Sequence, residues 1–210
     1  MDALDREKRL LRAQMKQKLA FLSITEKEEK SKKLNSVLVA AEFWPKVSSL
    51  AAFLPMPDEP DLRPLLEKAL AAGKTLFLPR IDGKELVFHK AGSLENGFLP
   101  HSYGMSEPCP ELPLANWAEV GEFTLFLVPG LAFDRRGGRL GRGKAFYDRF
   151  LHVFTRQTLD QKTQSQRQVL ILGAAFSCQL VETLPIGETD FPLDGLVTEE
   201  EVLLVCNKKP

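Results

Sequence analysis

The sequence has no surplus of either charge, because 28 lysines and arginines balance 28 aspartates and glutamates. A chain without net charge is not drawn as a whole to a nucleic acid or to an anionic membrane surface. Any anion site must therefore come from local clustering of cations. We expect neither a nucleic acid nor a membrane as a partner.

Long apolar runs and cysteine pairs are also missing. No stretch of about 18 apolar residues could form a transmembrane helix, and the N-terminus is charged from Asp2 onward, unlike a secretory signal. The three cysteines, Cys109, Cys178 and Cys206, are odd in number and lack C-x-x-C spacing. This usage is typical of reduced thiols, and we expect a cytoplasmic protein.

Signatures of serine and zinc hydrolases are absent as well, since the sequence has no G-x-S-x-G and no H-E-x-x-H. The three histidines share no spacing that indicates a metal site. What remains is an ordinary globular composition, 44% apolar and 27% charged, in 210 residues. That length is enough for one well-packed core, and the composition excludes wholesale disorder.

The N-terminal part of the chain has the pattern of two helices. Leucines and a methionine at helical spacing predict an amphipathic helix over residues 4–22. Thr25 and Glu28 then predict a capping box for a second helix that ends near Ala41. We expect this helical pair, residues 1–41, to pack on the rest of the fold.

The remainder alternates between strand and helix patterns. Short apolar runs, of which residues 123–128 are the clearest, are typical of strands buried on both faces of a parallel sheet. Helices are predicted to end at Gly73 and to begin near Gly143. This order favours an α/β fold, a single three-layer domain over residues 1–210 with a mostly parallel sheet flanked by helices.

Residues 130–144 combine glycine with positive charge. They contain five glycines and five cations: Arg135, Arg136, Arg139, Arg142 and Lys144. Glycine lets backbone N–H groups approach an anion closely, and the start of the next helix adds partial positive charge. The segment also follows a predicted strand, where ligands of α/β sheets bind. It is therefore predicted to bind phosphate.

Part of this segment matches the start of a P-loop. Gly138 to Lys144 reads G-x-x-x-x-G-K, but Ala145 stands where a Ser or Thr would ligate Mg²⁺. Asp148, one turn into the predicted helix, is the nearest carboxylate for a metal. Three classes stay open on the residues alone: a P-loop-like NTPase or kinase, a non-catalytic phosphate-sensing α/β domain, and an enzyme with a different phosphate loop.

The stretch PGLAFDRRGGRLGRGKAFYDRFL, residues 129–151, closely resembles the signature of the 5-formyltetrahydrofolate cyclo-ligase family. Shorter matching pieces occur in the family's order: KRLLR, FLPMPDEPD, GMSEP and TDFPLDGLVTEE. Ala145 departs from the pattern, because the family usually has glycine there. A methyl group fits this position if the residue is already helical.

The resemblance implies an enzyme that uses ATP to convert 5-formyltetrahydrofolate into 5,10-methenyltetrahydrofolate, ADP and phosphate. Phosphorylation turns the formyl oxygen into a good leaving group, and N10 then attacks the activated carbon. Such a step depends mainly on positioning and charge stabilisation. Implied partners are small molecules, ATP and a reduced folate, with Mg²⁺ as the cofactor. We expect a monomer.

The resemblance also implies the roles of individual residues. Those implied for ATP are Lys8, Arg9, Leu10, Leu11, Arg12, Arg139, Leu140, Gly141, Arg142, Gly143, Lys144, Ala145, Phe146 and Tyr147. Those implied for the folate are Leu54, Glu59, Arg142, Gly143, Lys144, Ala145 and Phe146. Arg142 and Lys144 are the implied catalytic residues. Asp148 and Asp190 are the implied Mg²⁺ ligands, with Asp194 as a rival for the second.

Two of these residues have support from helical periodicity. Lys8 and Arg12 lie beside the apolar stripe of the first predicted helix rather than opposite it. Cations placed there are able to reach into a cleft. The competing interpretation is an ordinary solvated basic face.

Overall fold

The computed structural model describes residues 3–102, 104–117, 120–160 and 167–205. Its helices are α1 (Ala3–Ala20), α2 (Ile24–Ala40), α3 (Arg63–Ala71) and α4 (Phe146–Asp160). Its strands are β1 (Ser49–Ala51), β2 (Thr75–Asp82), β3 (Glu85–Ala91), β4 (Phe98–Pro100), β5 (Ser106–Pro108), β6 (Phe123–Val128), β7 (Ala132–Asp134), β8 (Arg139–Leu140), β9 (Gln168–Ala174), β10 (Leu180–Val181), β11 (Gly195–Val197) and β12 (Val202–Leu204).

A seven-stranded sheet in the order β12-β11-β9-β6-β1-β2-β3 lies at the centre. The five strands from β11 to β2 run parallel, and the edge strands β12 and β3 are antiparallel to their neighbours. The predicted α/β fold with a mostly parallel sheet is confirmed. The apolar run at 123–128 is β6, with the predicted bounds.

The two faces of the sheet carry different helices. Successive residues of β6 alternate between two apolar clusters, because neighbouring side chains of a strand point to opposite faces. Leu125 and Leu127 belong to the cluster under α2 and α3, whereas Phe126 and Val128 belong to the cluster under α4. These helices and the sheet form the three predicted layers.

The first helix covers a smaller sheet. Met15 and Leu19 of α1 are buried against the three-stranded sheet β10-β7-β8, where they contact Leu131 and Leu140. The helix therefore lies directly over the chain segment with the cyclo-ligase signature. Helix α2 packs elsewhere, with Leu34 and Leu38 fully buried in the cluster that α3 shares.

Two local predictions differ from the structure. The capping box of α2 is formed by Ser23 and Glu26, not by Thr25 and Glu28: Ser23 Oγ accepts from the Glu26 amide at 3.2 Å, and the Glu26 carboxylate accepts from the Ser23 amide at 2.8 Å. Both pairs have the same spacing, and the chain takes the earlier one. Helix α4 begins at Phe146 rather than near Gly143.

The structure also bears on the predictions about membrane helices and cysteines. No helix in the described ranges is long and apolar enough to cross a bilayer. Cys109 and Cys178 are free thiols. Cys206 lies outside the described residues.

Candidate active site

The signature segment begins as a β-hairpin, β7 and β8, rather than as a loop. Asp134 at its turn is buried, and one carboxylate oxygen accepts from the amides of Arg136 and Gly138 at 2.9 Å each. The other oxygen accepts from the Leu184 amide at 3.1 Å. Three backbone N–H groups therefore donate to this one buried carboxylate. These bonds fix the turn, because a buried donor or acceptor that has no partner is costly.

This hairpin excludes the P-loop interpretation of Gly138 to Lys144. A P-loop leads from its strand straight into its helix. Here β6 is followed first by the hairpin and only then by residues 141–145, the glycine loop, which leads into α4. Arg135 and Arg136 are exposed on the hairpin turn.

Helix α1 reaches this glycine loop with two cations. Arg12 Nε donates to the Gly141 carbonyl at 2.9 Å, and Lys8 Nζ forms an ion pair with Asp190 at 2.5 Å. The Lys8 side chain is only 12% exposed. Both cations are therefore bonded to other parts of the protein and do not form a solvated basic face. Of the intervening residues, Arg9 and Leu10 are exposed and Leu11 packs on the apolar cluster beneath the helix.

On its other side the glycine loop is joined to residues 54–60, the proline-rich loop. Arg142 Nη2 lies 2.5 Å from Asp58 and 3.0 Å from Glu59 Oε1, and Glu59 Oε2 accepts from the Met56 amide at 3.0 Å. Burial raises the pKa of Glu59, while the attraction of Arg142 opposes that rise. Sequence analysis missed Asp58, because nothing local marks a carboxylate whose partner is 84 residues away.

The other residues implied for the folate lie along these two loops. Leu54 is half-buried at the start of the proline-rich loop. Phe146 is half-buried at the start of α4, and it packs against the same cluster as Phe126. Gly143, Lys144 and Ala145 are exposed at the surface of the glycine loop. The backbone amides of such an exposed, cation-rich turn are accessible to an anion.

Arg139 has a different position from the other cations. It is buried, its Nη2 donates to Asp148 at 2.7 Å, and its Nη1 donates to the Pro129 carbonyl at 3.2 Å. The guanidinium also lies over the Tyr147 ring, 5.7 Å from its centroid. Arg139 is thus engaged by the protein itself, and its neighbour Leu140 is buried too.

The two predicted metal ligands lie close together. The Phe191 amide donates to Asp148 Oδ1 at 3.2 Å, so Asp190 directly precedes a residue bonded to Asp148. Asp190 Oδ2 accepts from the Gly187 amide at 2.6 Å. The rival Asp194 is directed to the central sheet, where it accepts from the Ile171 amide at 2.7 Å.

The donor set of these two aspartates suits Mg²⁺. Within the described residues, Asp148 Oδ2 and Asp190 Oδ1 have no hydrogen-bond partner, so each carboxylate has one hard oxygen to offer. Mg²⁺ commonly binds through one or two carboxylates while substrate phosphates and waters complete its shell. No cluster of three or more His, Cys, Asp or Glu capable of holding a metal occurs in the described part of the chain.

Ala145 has an unusual backbone. Its φ is +53°, the left-handed conformation, and among the described non-glycine residues it alone has a positive φ. The condition that a methyl group fits because the residue is helical is not met. Its carbonyl accepts from the Arg149 amide at 3.1 Å, so Ala145 makes the entry into α4 in a conformation that costs a non-glycine residue about 1–2 kcal/mol.

Comparisons with known proteins identify the family. The sequence profile of the 5-formyltetrahydrofolate cyclo-ligase family matches residues 5–199. The chain is 29% identical to the mouse 5-formyltetrahydrofolate cyclo-ligase over 92% of its own length and 94% of the relative's. It is 33% identical to the Escherichia coli K12 enzyme of that name, over 73% of its own length and 79% of the relative's.

Solved structures point the same way. The Aquifex aeolicus 5,10-methenyltetrahydrofolate synthetase has a TM-score of 0.76 and 32% identity, covering 97% of this chain and 95% of its own. The Mycoplasma pneumoniae 5,10-methenyltetrahydrofolate synthetase has a TM-score of 0.68 and 25% identity, covering 92% and 99%. The signature, the family profile and the overall fold agree, and this chain belongs to the 5-formyltetrahydrofolate cyclo-ligase family.

Proposed function

We propose that the protein catalyses the ATP-dependent cyclisation of 5-formyltetrahydrofolate to 5,10-methenyltetrahydrofolate, with release of ADP and phosphate. One observation carries this proposal: a family signature loop lies in the same cleft as two cations from α1 and two aspartates. A phosphate-sensing domain needs neither the aspartates nor a second cationic element. The product absorbs light where the substrate does not, which makes turnover directly measurable.

ATP binds in this proposal between α1 and the glycine loop. Lys8, Arg12 and Lys144 supply positive charge, and the amides from Gly141 to Ala145 supply hydrogen-bond donors. Lys8 is paired with Asp190, so an incoming phosphate exchanges one anionic partner of Lys8 for another. Charge-assisted bonds of this kind are the strong ones in phosphate recognition.

In this proposal Asp148 and Asp190 would hold Mg²⁺ through the carboxylate oxygens that no described residue bonds. The ion supplies charge neutralisation for the transferring phosphoryl group. Arg139 keeps Asp148 in place by its bond to Oδ1, which leaves Oδ2 for the metal. Its buried position makes Arg139 a positioning residue rather than a phosphate ligand.

The folate lies on the other side of the glycine loop, against Leu54, Glu59 and Phe146. The formyl oxygen attacks the γ-phosphorus of ATP and ADP leaves. N10 of the folate then attacks the formyl carbon, loses its proton, and expels phosphate from that carbon. Arg142 and Lys144 lie between the two substrates, where positive charge stabilises the phosphoryl group during both steps.

The decisive experiment incubates the purified, folded chain with 5-formyltetrahydrofolate and Mg-ATP. We expect methenyl product and ADP to form in equal amounts, and no product when ATP is left out. ATP hydrolysis without a folate requirement would instead favour an NTPase. Binding of both ligands without turnover would favour a sensing domain. The cytoplasmic location and the monomeric state stay predictions from the sequence.

Replacing Lys8 by alanine is expected to raise the KM for ATP by about tenfold or more, which is the range for one charge-assisted bond. The melting temperature should also fall, because Asp190 loses its charged partner at a site where both side chains are largely buried, so the KM is compared on protein shown to be folded. Lys16→Ala removes an exposed cation of the same helix and serves as the control. An ATP KM unchanged in Lys8→Ala would return Lys8 to a purely structural role.

Changes at Ala145 distinguish this loop from a damaged P-loop. Ala145→Ser restores the P-loop hydroxyl, but we expect no gain in turnover, because the proposed metal ligands are aspartates. Ala145→Gly removes the left-handed penalty and should stabilise the fold by up to about 1 kcal/mol, once the added chain entropy of glycine is subtracted. Thermal unfolding and steady-state kinetics of both variants check this. Faster Mg²⁺-dependent turnover in Ala145→Ser would contradict it.

A further inference from the structure

Arg149 of α4 is an exposed cation to which the proposed mechanism gives no role. Its side chain donates hydrogen bonds to backbone carbonyls of two other segments. Arg149 Nη1 donates to the Lys144 carbonyl at 2.9 Å, and Arg149 Nη2 donates to the Lys84 carbonyl. The guanidinium also lies over the Phe146 ring, 5.4 Å from its centroid. One side chain thus joins the glycine loop, the start of α4 and the turn between β2 and β3.

The hydrogen bonds of Arg149 hold the backbone on both sides of the left-handed residue Ala145. The Lys144 carbonyl belongs to the peptide group before Ala145, and the Arg149 side chain bonds it. The Ala145 carbonyl belongs to the peptide group after it, and the Arg149 amide donates to that carbonyl at 3.1 Å. Because peptide groups are planar, fixing the two that flank a residue fixes its φ and ψ. Arg149 therefore constrains the backbone of Ala145.

The turn between β2 and β3 gives Arg149 a firm support. The two strands pair antiparallel up to the turn that contains Lys84. Phe88 of β3 contacts Phe150 of α4, with 4.7 Å between the ring centroids. The hairpin is thus part of the central sheet and is packed against the helix that carries Arg149. The Lys84 carbonyl is consequently a fixed acceptor, and its bond limits the movement of the guanidinium.

We propose that Arg149 is a positioning residue, which holds the glycine loop and Lys144 in the conformation that meets the transferring phosphoryl group. The inference rests on the proposed function. Glycine, which the family usually has at position 145, adopts a left-handed backbone without steric cost. Alanine keeps such a conformation only when its surroundings enforce it. In this chain Arg149 supplies the constraint that Ala145 requires.

The first test is Arg149→Met, which keeps an unbranched side chain and removes its donors. Misplacing a catalytic group by about 1 Å can slow a reaction by about a hundredfold, so we expect kcat to fall by about tenfold or more. The KM for ATP should change less, because Lys8 and Arg12 are unaffected. The melting temperature should change little, since the lost bonds are exposed. Arg156→Met removes another exposed cation of α4 and is the control.

A double-mutant cycle with Ala145→Gly separates positioning from a general effect of the arginine. In the glycine background, Arg149→Met should lower kcat by about twofold or less relative to Ala145→Gly alone, because the two residues act on the same backbone. Arg149→Lys in the original background should be intermediate, since one ammonium lacks the planar fork that reaches two carbonyls. An equal loss of kcat from Arg149→Met in both backgrounds would overturn the proposal.

Tryptic cleavage after Lys144 reports on the loop without any turnover, because proteolysis of a folded chain depends on local opening. We expect this bond to be cut several times faster in Arg149→Met than in wild type or in Arg156→Met. Equal cleavage rates would show that Arg149 does not hold the loop. Failure of the proposed function gives a different result, since the wild type would then form no methenyl product. The cleavage rates would still decide whether Arg149 constrains the glycine loop.

Discussion

Asp148→Asn is expected to reduce turnover by at least about a hundredfold, because an anionic ligand is removed from a divalent ion that neutralises the phosphoryl group. Asparagine retains an oxygen for the Phe191 amide and for Arg139, but the buried Arg139 loses its charged partner, so we also expect a lower melting temperature. Steady-state kinetics across a Mg²⁺ titration measures the effect, and we expect the apparent Mg²⁺ requirement to rise. Thermal unfolding checks that the variant is folded.

The matched control is Asp194→Asn. Asp194 is four residues after Asp190 and accepts from the Ile171 amide in the sheet, so its replacement should affect stability more than the Mg²⁺ dependence. If Asp148→Asn were near normal and Asp194→Asn had a Mg²⁺ defect, the proposal would have assigned the metal to the wrong aspartate. Asp190→Asn should resemble Asp148→Asn and should also release Lys8 from its ion pair.

Arg142→Ala is expected to have the second large effect. The change removes the cation that joins Asp58 and the buried Glu59, and it leaves Glu59 without a charged partner. Breaking a buried pair on one side costs about 3–5 kcal/mol, and less here because the Arg142 side chain is 27% exposed. We expect kcat/KM to fall at least about a hundredfold, which corresponds to about 2.7 kcal/mol.

Stability and catalysis are separable at this site. The double variant Arg142→Ala/Glu59→Gln removes the uncompensated charge, so melting temperature should recover relative to Arg142→Ala while turnover stays low. Arg142→Lys keeps the charge but loses the planar geometry that contacts two carboxylates, and it should be intermediate. Recovery of turnover in the double variant would mean that Arg142 acts through loop stability alone. Arg136→Ala, an exposed cation on the hairpin, is the control.

Local patterns in the sequence were sufficient for the fold class, but not for the β7–β8 hairpin. The bounds of β6 follow from one continuous apolar run, and the parallel order follows from the alternation of strands with helices. The cleft between α1 and the glycine loop was also anticipated in part, because the periodicity of α1 places Lys8 and Arg12 beside its apolar stripe. Both patterns depend on residues close together in the chain.

What the sequence left undetermined depends on distant partners. Nothing near Arg139 indicates that Asp148 and the Pro129 carbonyl engage its guanidinium, and nothing near Arg142 indicates Asp58. The left-handed backbone of Ala145 could not be predicted from the sequence either. A residue other than glycine adopts this conformation only when the surrounding fold constrains it.

The ion pair between Lys8 and Asp190 spans 182 positions of the chain. During synthesis, Lys8 of α1 therefore cannot meet this partner until residue 190 has been added to the chain. Contacts between such distant residues form slowly, since the intervening chain must be ordered first. The site proposed for ATP is complete only when Asp190 is in place, and we therefore expect a chain that ends before Asp190 to bind ATP poorly. We therefore expect the affinity for ATP to report whether the chain has folded completely.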